Sequence, residues 1–407
     1  MRTESFDYLL PDELIAQSPA LPRESCRMLV LQRSTGRLEH RVFSDMPDYV
    51  GEGDVLVVNS TKVMPARLTG QKADTGSAAE LLLLRQLPSE YVPPHTAPCP
   101  YRLAALRTDT AQEQYWEALV KPGRRLKPGS RILFEGLVAE IVDWTSEDGK
   151  GSRIVRLTLS DTTGDTPSGS RSIADTLQRL GTLPLPPYIK DYTGDTSLYQ
   201  TVYACEQNSA AAPTAGLHFS EELLQRVQAQ GCGVASVCLE IGLDTFRQIA
   251  EEHIDDHLIH SERYTVPEET VQAVVTARQN GGRVIAVGTT AVRALESAAQ
   301  DTAAPDTLST GKAPDACTTS DLTDLQRAAH TRCTLRPVSR EQTRLYITPG
   351  YRFRVVDALL TNFHTPRSTL MVLVAAFAGH TPIMNAYRVA LAQRYRFLSF
   401  GDAMLLL

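Results

Sequence analysis

A proline, a threonine, a glycine and a histidine occur close together in the loop Ala211–Ser220, which reads A-A-P-T-A-G-L-H-F-S. A helix is predicted to begin directly after it, because Ser220 is a favourable N-cap and Glu221 and Glu222 occupy the first turn. The sequence therefore places the imidazole of His218 beside the positive end of a helix, where it could bind an anion or move a proton. A rigid turn whose histidine only satisfies a hydrogen bond is the alternative.

The same arrangement, a strand that leads through a polar turn into a helix, occurs twice more. Arg283–Gly288 (R-V-I-A-V-G) predicts a buried strand, and Thr289 and Thr290 follow it as helix-capping hydroxyls. Phe353–Phe363 predicts another strand, and a polar turn that starts at His364 leads from it into an apolar helix. Ordinary helix capping is the alternative explanation of each turn taken alone.

Polar side chains therefore gather at the ends of several predicted strands, and Ser399–Asp402 adds a fourth polar cluster. In open α/β sheets, ligands bind outside the carboxyl ends of the strands. We predict one crevice at these ends, lined by Asn59, His218, Thr289, Thr290, Asn362 and His364.

The order of elements predicts an α/β fold interrupted by a small β-barrel. Short apolar strands separated by Pro/Gly turns fill residues 66–169 without a convincing helix, which is typical of a barrel. Strands and helices alternate over 1–65 and 170–407, which predicts one discontinuous α/β domain with a largely parallel sheet. Within it, the Ala-, Thr-, Asp- and Pro-rich segment 302–331 is predicted to be a flexible surface insertion.

The composition is that of a globular protein with a slightly acidic charge balance. The 407 residues are 42% hydrophobic and 22% charged, and the formal net charge is −6. That balance argues against a protein that coats nucleic acid through charge alone. A local basic patch is still possible, because Lys121–Arg131 (K-P-G-R-R-L-K-P-G-S-R) contains five cations and no acid. A solvated hairpin is the alternative interpretation of that segment.

Neither the apolar runs nor the cysteines indicate a membrane or an oxidising compartment. The longest apolar run, Leu370–Ala378, is too short to span a bilayer, and Met1–Leu10 lacks the apolar core of a secretion signal. The seven cysteines are odd in number, scattered and never in a C-x-x-C pair. We therefore expect free thiols in a cytoplasmic protein without membrane association.

Three histidines support a competing interpretation. His253, His257 and His260 fall at i, i+4 and i+7, on one face if their segment is helical, and three imidazoles could bind zinc. A metal-dependent hydrolase is therefore one alternative function. The sequence has no H-E-x-x-H pattern here, which favours a polar segment without a metal.

Ordered motifs recur along nearly the whole chain. They are F-D-Y-x-L-P from Phe6, L-V-x-N-x-T-K-V-x-P-A-R from Leu56, K-P-G-R-R-L-K-P-G from Lys121, P-L-P-P-Y-I from Pro184, Y-Q-T-V-Y-A from Tyr199, A-A-P-T-A-G-L-H-F from Ala211, H-x-x-H-S-E from His257, A-V-G-T-T from Ala286, P-G-Y-x-F from Pro349, L-L-T-N-F-H-x-P from Leu359 and R-Y-R-F-x-S-x-G-D-A-M from Arg394. Together they resemble the S-adenosylmethionine:tRNA ribosyltransferase-isomerase family of queuosine biosynthesis (the QueA family).

The resemblance implies a three-layer α/β sandwich domain with an inserted six-stranded β-barrel domain, in agreement with the element pattern. It also implies that the ribosyl group of S-adenosylmethionine is transferred and isomerised onto 7-aminomethyl-7-deazaguanine at the tRNA anticodon wobble position. The products would be epoxyqueuosine-tRNA, adenine and methionine. S-adenosylmethionine is then a consumed substrate, and we expect no resident cofactor or metal.

This chemistry assigns roles to the polar residues. A carbon next to a sulfonium is acidic, so a general base can start the reaction, and histidine is suited to that role near neutral pH. A hydrogen-bond donor would help adenine to leave, and Glu262 or Asp402 could act as that acid if burial raises its pKa. The candidate bases are, first, His218 and His364 and, second, His257 and His260.

Binding roles follow in the same way. The methionine carboxylate could lie at the helix start formed by Gly288, Thr289 and Thr290, with Arg367 as an alternative partner. Because the anticodon loop is single-stranded, its base could turn into the crevice without the opening of a duplex. Four cations of the basic segment would then hold tRNA phosphates: Lys121, Arg124, Arg125 and Lys127.

Four features depart from the family pattern, among them His253, which matches no family position and so weakens the metal interpretation, and the additional segment 302–331. Cys238–Gly242 reads C-L-E-I-G where the family commonly has T-L-H-V-G, so that Glu240 stands at a histidine position. Cys26 stands where the family usually has serine.

A noncatalytic RNA-binding protein built on the barrel is the second alternative function, and the acidic balance and the polar strand ends count against it. We expect the protein to be a monomer.

Overall fold

The computed structural model describes residues 1–87, 113–145, 151–160, 172–190, 192–242, 247–301 and 333–407. They form two compact units. The first unit comprises Met1–Lys62, Pro186–Glu206 and Ala212–Leu407, and the second comprises Val63–Leu185 and Gln207–Ala211. The segment 302–331, for which the composition predicts a flexible insertion, lies outside the described residues.

The strands and helices are numbered here in chain order. The strands are β1 Arg27–Leu31, β2 Leu38–Val42, β3 Val55–Asn59, β4 Thr61–Val63, β5 Arg67–Lys72, β6 Ala78–Gln86, β7 Glu113–Lys121, β8 Arg131–Phe134, β9 Leu137–Trp144, β10 Arg153–Leu159, β11 Glu206–Ser209, β12 Gly233–Leu239, β13 Glu262–Val266, β14 Val284–Val287, β15 Ala299–Asp301, β16 Cys333–Leu335, β17 Val338–Thr343, β18 Ala358–Asn362 and β19 Ala403–Leu406. The α-helices are α1 Ile173–Leu180, α2 Glu221–Ala229, α3 Glu268–Gln279, α4 Thr289–Ala298, α5 Thr369–Ala378 and α6 His380–Ala392.

A nine-stranded sheet organises the first unit, in the order β17-β13-β12-β3-β14-β18-β19-β1-β2. The neighbours from β12 to β18 run parallel, as do β19 and β1. The other neighbouring pairs are antiparallel. The prediction of a largely parallel sheet is therefore wrong outside β12–β18 and the β19–β1 pair; in the β1–β2 pair, the tight hairpin connection requires antiparallel pairing.

Both faces of the central strands are covered, which explains why those strands are continuous apolar runs. Leu56 of β3 and Ile285 of β14 share one buried core with Leu223 of α2. Helices α3 and α4 contact the same strands, and their buried residues Val274 and Leu295 are not part of that core. The predicted α/β architecture is confirmed.

The strand predicted at Phe353–Phe363 is shorter in the structure, where only its last part forms β18. The backbone N–H groups of Arg354, Val355 and Val356 donate to the carboxylate of Glu296 at 2.9–3.0 Å instead of to a neighbouring strand. Glu296 is fully buried. Because these three backbone amides are bound to its carboxylate, they do not pair with a neighbouring strand, and the strand begins only at Ala358.

A closed six-stranded antiparallel barrel, β10-β7-β6-β5-β8-β9, organises the second unit. Side chains alternate along its strands, so that Leu137, Ala139 and Ile141 of β9 point into the barrel and are buried. Ile173 and Leu177 of helix α1 belong to the same apolar core. The barrel predicted from evenly spaced short strands is therefore confirmed.

The apolar helix predicted near Leu370–Ala378 is α5. The hydroxyl of Ser368 accepts the backbone N–H of Met371 and caps its start, and Gly379 with φ +87° ends it. No single helix among the described residues is long and apolar enough to cross a membrane, and α5 with α6 meets the length and composition test only as a pair bent by 115°.

Candidate active site

The polar ends of three parallel strands meet at one edge of the nine-stranded sheet. Asn59 ends β3, Gly288 follows β14 and Asn362 ends β18. Strand β19 runs antiparallel to β18, with Ala403 opposite Asn362. The segment Ser399–Asp402 therefore reaches the same edge from the opposite direction.

A narrow pocket lies at this edge, within the first unit. Its cavity volume is about 60 Å³, well below the roughly 300–1,000 Å³ that is typical of small-molecule sites. A large ligand therefore requires the pocket to widen. The polar residues that line it are Tyr188, Thr214, Thr289, Thr290, Thr361, Asn362, His364, Thr365 and Ser399.

Helix α4 begins at the pocket wall. Gly288 turns the chain from β14 into the helix with φ +89°, a conformation that favours glycine. The first N–H groups of an α-helix have no partner within it, and Thr289 and Thr290 line the pocket at this point. The hydroxyl of Thr290 is buried and has no hydrogen-bond partner among the described residues. Unpaired donors at a positive helix end form an anion site.

His364 presents a neutral imidazole to the pocket. Burial lowers its pKa to about 3, so the ring carries no charge at physiological pH. Its Nε2 lies 2.8 Å from the hydroxyl of Thr361, and its Nδ1 makes no hydrogen bond within the described part of the chain. The backbone of His364 donates to Tyr387 at 2.9 Å and accepts from the hydroxyl of Tyr8. The ring is therefore held firmly with one nitrogen open.

His218 lies behind the pocket wall rather than in it. Its Nδ1 is 3.2 Å from Sγ of Cys26, and its Nε2 is 3.2 Å from Nδ2 of Asn362. Burial, with the charges of Arg396 and Arg23, lowers the pKa of His218 to about 4 against the opposing effect of the Asn362 hydrogen bond. Both ring nitrogens therefore have partners. Of the residues Cys26, His218 and Asn362, the one that lines the pocket is Asn362.

Asn59 does not line the pocket, so its predicted place in the crevice is wrong. The fully buried side chain donates from Nδ2 to the carbonyl of Leu239 at 3.1 Å. Its Oδ1 accepts the N–H groups of Leu239 at 3.0 Å and Thr61 at 3.2 Å. The amide joins the ends of β3 and β12, and these backbone partners commit both of its polar atoms.

Glu262 belongs to a buried ion-pair cluster outside the pocket lining. Its carboxylate contacts Nη1 of Arg293, accepts the N–H of Gly242 at 3.1 Å, and lies 2.9 Å from Nε2 of His260. The His260 contact is at ion-pair distance without the alignment of a hydrogen bond. Burial raises the pKa of Glu262, but Arg293 and His260 outweigh it and the net pKa is lowered. The raised pKa that an acid role requires is therefore not found.

The three histidines proposed as zinc ligands do not share a helix face. Only Ile254–Asp256 forms a short 3-10 turn between them. His257 instead contacts Glu251, with 3.0 Å between Nδ1 and Oε2, while His260 is drawn to the ion-pair cluster. Across the described residues, no group of three or more His, Cys, Asp or Glu side chains is placed to hold a metal.

Asp402 and Arg367 also lie outside the pocket lining. The two oxygens of Asp402 accept the backbone N–H groups of Arg27 at 2.9 Å and Arg396 at 2.7 Å, which fixes the approach to β19. Arg367 adopts φ +54°, which is uncommon for a residue other than glycine. Its Nε is buried without a hydrogen-bond partner among the described residues, so its guanidinium keeps unused donors.

The basic segment forms an exposed turn between β7 and β8 in the second unit. Leu126 within it is fully buried in the barrel core, and Arg153 donates to the carbonyl of Gly123 at 3.1 Å. The turn is therefore anchored to the barrel. Its four candidate cations are exposed and form no salt bridge with any described residue: Lys121, Arg124, Arg125 and Lys127.

Five polar residues of the pocket are absent from the sequence-based candidates: Tyr188, Thr214, Thr361, Thr365 and Ser399. The Tyr188 hydroxyl lies 2.7 Å from Oγ of Ser399, and burial raises the pKa of Tyr188, so the phenol is neutral. Each of these residues lies within one of the motifs that carry the family resemblance, but the motif does not show that its side chain lines a pocket. A proline-rich run such as the one before Tyr188 indicates a stiff connector and does not show where the next side chain points.

These features define a class of α/β protein: the first unit has a mixed sheet with a polar pocket at its strand ends, and the second unit is a small barrel. The chain belongs to the queuosine biosynthesis protein family, which matches residues 3–406. It is 43% identical to the S-adenosylmethionine:tRNA ribosyltransferase-isomerase of Symbiobacterium thermophilum and 42% identical to that of Caldanaerobacter subterraneus, over 100% of each chain.

A solved structure gives a further comparison. The S-adenosylmethionine tRNA ribosyltransferase of Thermotoga maritima is 32% identical, and the match covers 99% of this chain and 100% of that one with a TM-score of 0.46. The family resemblance read from the motifs is confirmed by the full-length relatives.

Proposed function

We propose that this chain is an S-adenosylmethionine:tRNA ribosyltransferase-isomerase. It transfers and isomerises the ribosyl group of S-adenosylmethionine onto 7-aminomethyl-7-deazaguanine at the tRNA wobble position, giving epoxyqueuosine-tRNA, adenine and methionine. Membership of the family and relatives of this name over the full length support the activity. One observation carries the assignment to a site: a single pocket combines the start of α4, the unpaired Thr290 hydroxyl and the open nitrogen of His364.

The methionine carboxylate binds at the start of helix α4 in this proposal. The first-turn N–H groups there need an acceptor, and the Thr290 hydroxyl is buried without one. A carboxylate supplies acceptors and is attracted by the positive end of the helix. Arg367, whose Nε is also unpaired, is the alternative partner, although it lies outside the pocket lining.

His364 is the general base in this proposal. In the tautomer whose Nε2–H donates to Thr361, Nδ1 has a free lone pair that can accept the proton of the acidic carbon beside the sulfonium. Burial lowers the pKa of the ring to about 3, so this role requires the bound substrate to raise that pKa. The bond to Thr361 and the fixed backbone hold the ring in one orientation. His218 is the less suitable of the two first candidates, because both of its nitrogens have partners.

The leaving adenine needs a hydrogen-bond donor, and the neutral hydroxyls of Tyr188 and Ser399 in the pocket are suited to that role. They replace Glu262, whose pKa is lowered, and Asp402, whose oxygens hold backbone amides. Because the reactive intermediates must be kept from water, the narrowness of the pocket favours the reaction once the substrate is inside.

The tRNA is held by the basic turn in this proposal. The exposed cations Lys121, Arg124, Arg125 and Lys127 contact its phosphates, which position the anticodon loop without reading its sequence. We further propose that the protein is a cytoplasmic monomer that uses S-adenosylmethionine as a consumed substrate and has no resident cofactor. The free thiols of Cys26, Cys205, Cys232 and Cys238 suit a reducing compartment.

The direct test mixes the purified protein with S-adenosylmethionine and tRNA that carries 7-aminomethyl-7-deazaguanine. Adenine and methionine should appear by chromatography in equal amounts, and the tRNA should gain the ribosyl-derived group by mass spectrometry. The matched control is the same tRNA with guanine at the wobble position, from which no adenine should be released. Formation of S-adenosylhomocysteine, or loss of activity in a chelator, would contradict the proposal.

A further inference from the structure

Three buried side chains connect the interior of the first unit to the pocket wall. Cys26 contacts His218, and His218 contacts Asn362, with 3.2 Å between the contacting atoms in both cases. Of the three, only Asn362 lines the pocket. The exposed fractions of the three residues are 4%, 4% and 3%, so all three are buried.

The orientation of the Asn362 amide follows from its neighbours. Its Nδ2 lies 3.0 Å from the carbonyl of Leu398, and a carbonyl can only accept a hydrogen bond. The nitrogen of the amide must therefore be on that side, and its second proton is directed at Nε2 of His218. Among the described residues, the amide oxygen has one long contact, at 3.4 Å from the hydroxyl of Thr214, another pocket residue. It keeps the capacity to accept a second hydrogen bond.

The tautomer of His218 follows in turn. Because Nε2 accepts from Asn362, the ring proton of the neutral imidazole is on Nδ1. That proton is directed at the sulfur of Cys26. The low pKa of His218, about 4, keeps the ring in this neutral form at physiological pH. A charged ring would place a donor opposite the Asn362 donor and would break the arrangement.

We propose that Cys26 and His218 are positioning residues that hold the Asn362 amide with its oxygen free to accept an N–H of the bound sulfonium nucleoside. This inference rests on the proposed function, because it assumes that S-adenosylmethionine occupies the pocket. His218 acts through Asn362 and does not remove a proton from the substrate. Cys26 supplies a weak acceptor for Nδ1–H, a role that a serine hydroxyl would also fill.

The substrate has two kinds of N–H donor, the ammonium of its methionine part and the amino group of its adenine. An amide oxygen accepts equally from either, and it does not bind the carboxylate, which needs donors. Two analogues separate these sources. S-adenosylhomocysteine carries both donors, whereas 5′-methylthioadenosine carries the adenine alone.

The test compares His218→Leu with His218→Gln in the full-length protein. The glutamine amide can accept from Asn362 and donate to Cys26, whereas leucine can do neither. Loss of one buried hydrogen bond should weaken S-adenosylhomocysteine binding by about tenfold in His218→Leu, measured by calorimetry, and should raise KM for S-adenosylmethionine more than it lowers kcat. His218→Gln should stay within about threefold of the wild type in both.

Each outcome decides the inference. Unchanged affinity in His218→Leu overturns the inference. An equal and complete loss of kcat in both variants also overturns it, because an amide cannot replace a general base and His218 would then be that base. If His218→Leu does not fold, the matched pair Cys26→Ala and Cys26→Ser takes its place, with weaker binding expected only for alanine.

The same variants identify the N–H donor of the ligand. A parallel loss of affinity for 5′-methylthioadenosine assigns the donor to adenine, and an unchanged affinity assigns it to the ammonium. Binding needs no turnover, so a wild type that releases no adenine contradicts the proposed function alone.

Discussion

The pocket at the sheet edge and the basic turn of the barrel use their polar residues in opposite ways. At the pocket, His364 and Thr290 are buried, and burial keeps the imidazole neutral. At the turn, Lys121 and Arg124 are exposed and form no ion pair with the described residues. The first region keeps a few uncharged groups in fixed positions, and the second keeps several charges in water.

The difference matches two physical tasks. A desolvated neutral group with one open atom can accept a proton or orient a substrate, and its effect depends on geometry. Solvated cations attract a polyanion over a distance set by salt, and their effect depends on number more than on position. Changes at the pocket should therefore alter turnover or small-substrate affinity, and changes at the turn should alter only tRNA affinity.

The largest effect is expected from His364→Ala. Loss of the proposed base should lower kcat by about 10²- to 10⁴-fold, while the tRNA dissociation constant stays within about twofold. Adenine release under saturating substrates measures the first quantity, and filter binding measures the second. His253→Ala, at an exposed histidine outside the pocket lining, is the control. Normal turnover in His364→Ala would remove this residue from the mechanism.

Arg293→Met tests a buried pair that is neither neutral nor solvated. Removal of the partner leaves the Glu262 charge buried, which should cost about 3–5 kcal/mol of unfolding free energy at pH 7. The folded pKa of Glu262 is lowered in the wild type, so its stabilisation is present above the unfolded pKa and is lost as pH falls. In the variant the lowering effect of Arg293 is lost while those of His260 and Gly242 remain, so the pKa of Glu262 should be higher than in the wild type, and protonation should shrink the deficit at low pH. Urea unfolding at neutral and acid pH, with exposed Arg388→Met as control, measures both. A deficit that is absent at pH 7 would show that the pair adds nothing to stability.

Charge reversal at the turn should affect the nucleic acid alone. Arg124→Glu with Arg125→Glu should weaken tRNA binding by about tenfold or more and flatten its salt dependence by roughly 0.7 for each lost phosphate contact. The kcat at saturating tRNA should not change. Arg388→Glu, an exposed arginine on α6, is the matched control. An unchanged salt slope would remove the turn from the tRNA-binding surface.

The smallest effect is expected from Thr290→Val, which replaces the unpaired hydroxyl with a methyl group of similar size. Affinity for S-adenosylhomocysteine should fall by about five- to tenfold through the loss of one hydrogen bond to the carboxylate. Affinity for 5′-methylthioadenosine, which has no carboxylate, should not change, and calorimetry measures both. Equal losses for the two ligands would place the carboxylate elsewhere.

The strand-end rule predicts a pocket at this edge because the rule depends only on strand direction. Thr289 and Asn362 follow apolar runs that can only be buried strands, and neighbouring parallel strands end at one edge. The helix after each turn could be read from its capping residue, as Ser368 shows for α5. Local chemistry of this kind requires no knowledge of distant contacts.

Several side chains lie where contacts that are distant in sequence place them. Asn59 occupies a strand end like the others, but Leu239, which lies 180 positions away, satisfies its amide. The spacing of His253, His257 and His260 fits a helix face, yet pairing of β13 with β12 and β17 draws the end of that segment into the sheet. The approach of Cys26 to His218 spans 192 positions and leaves no local signal.

Strand β19 lies between β18 and β1, and Ala403 pairs with both Asn362 and Met28. Among the described strands, β19 is the one that pairs the β1–β2 hairpin with the rest of the sheet. Because β19 follows the hairpin in the chain, the hairpin can join the sheet only after β19 has been synthesised. A nascent chain that ends before Ala403 would leave one edge of β18 and one edge of β1 unpaired. Unpaired strand edges are prone to aggregation and are bound by chaperones.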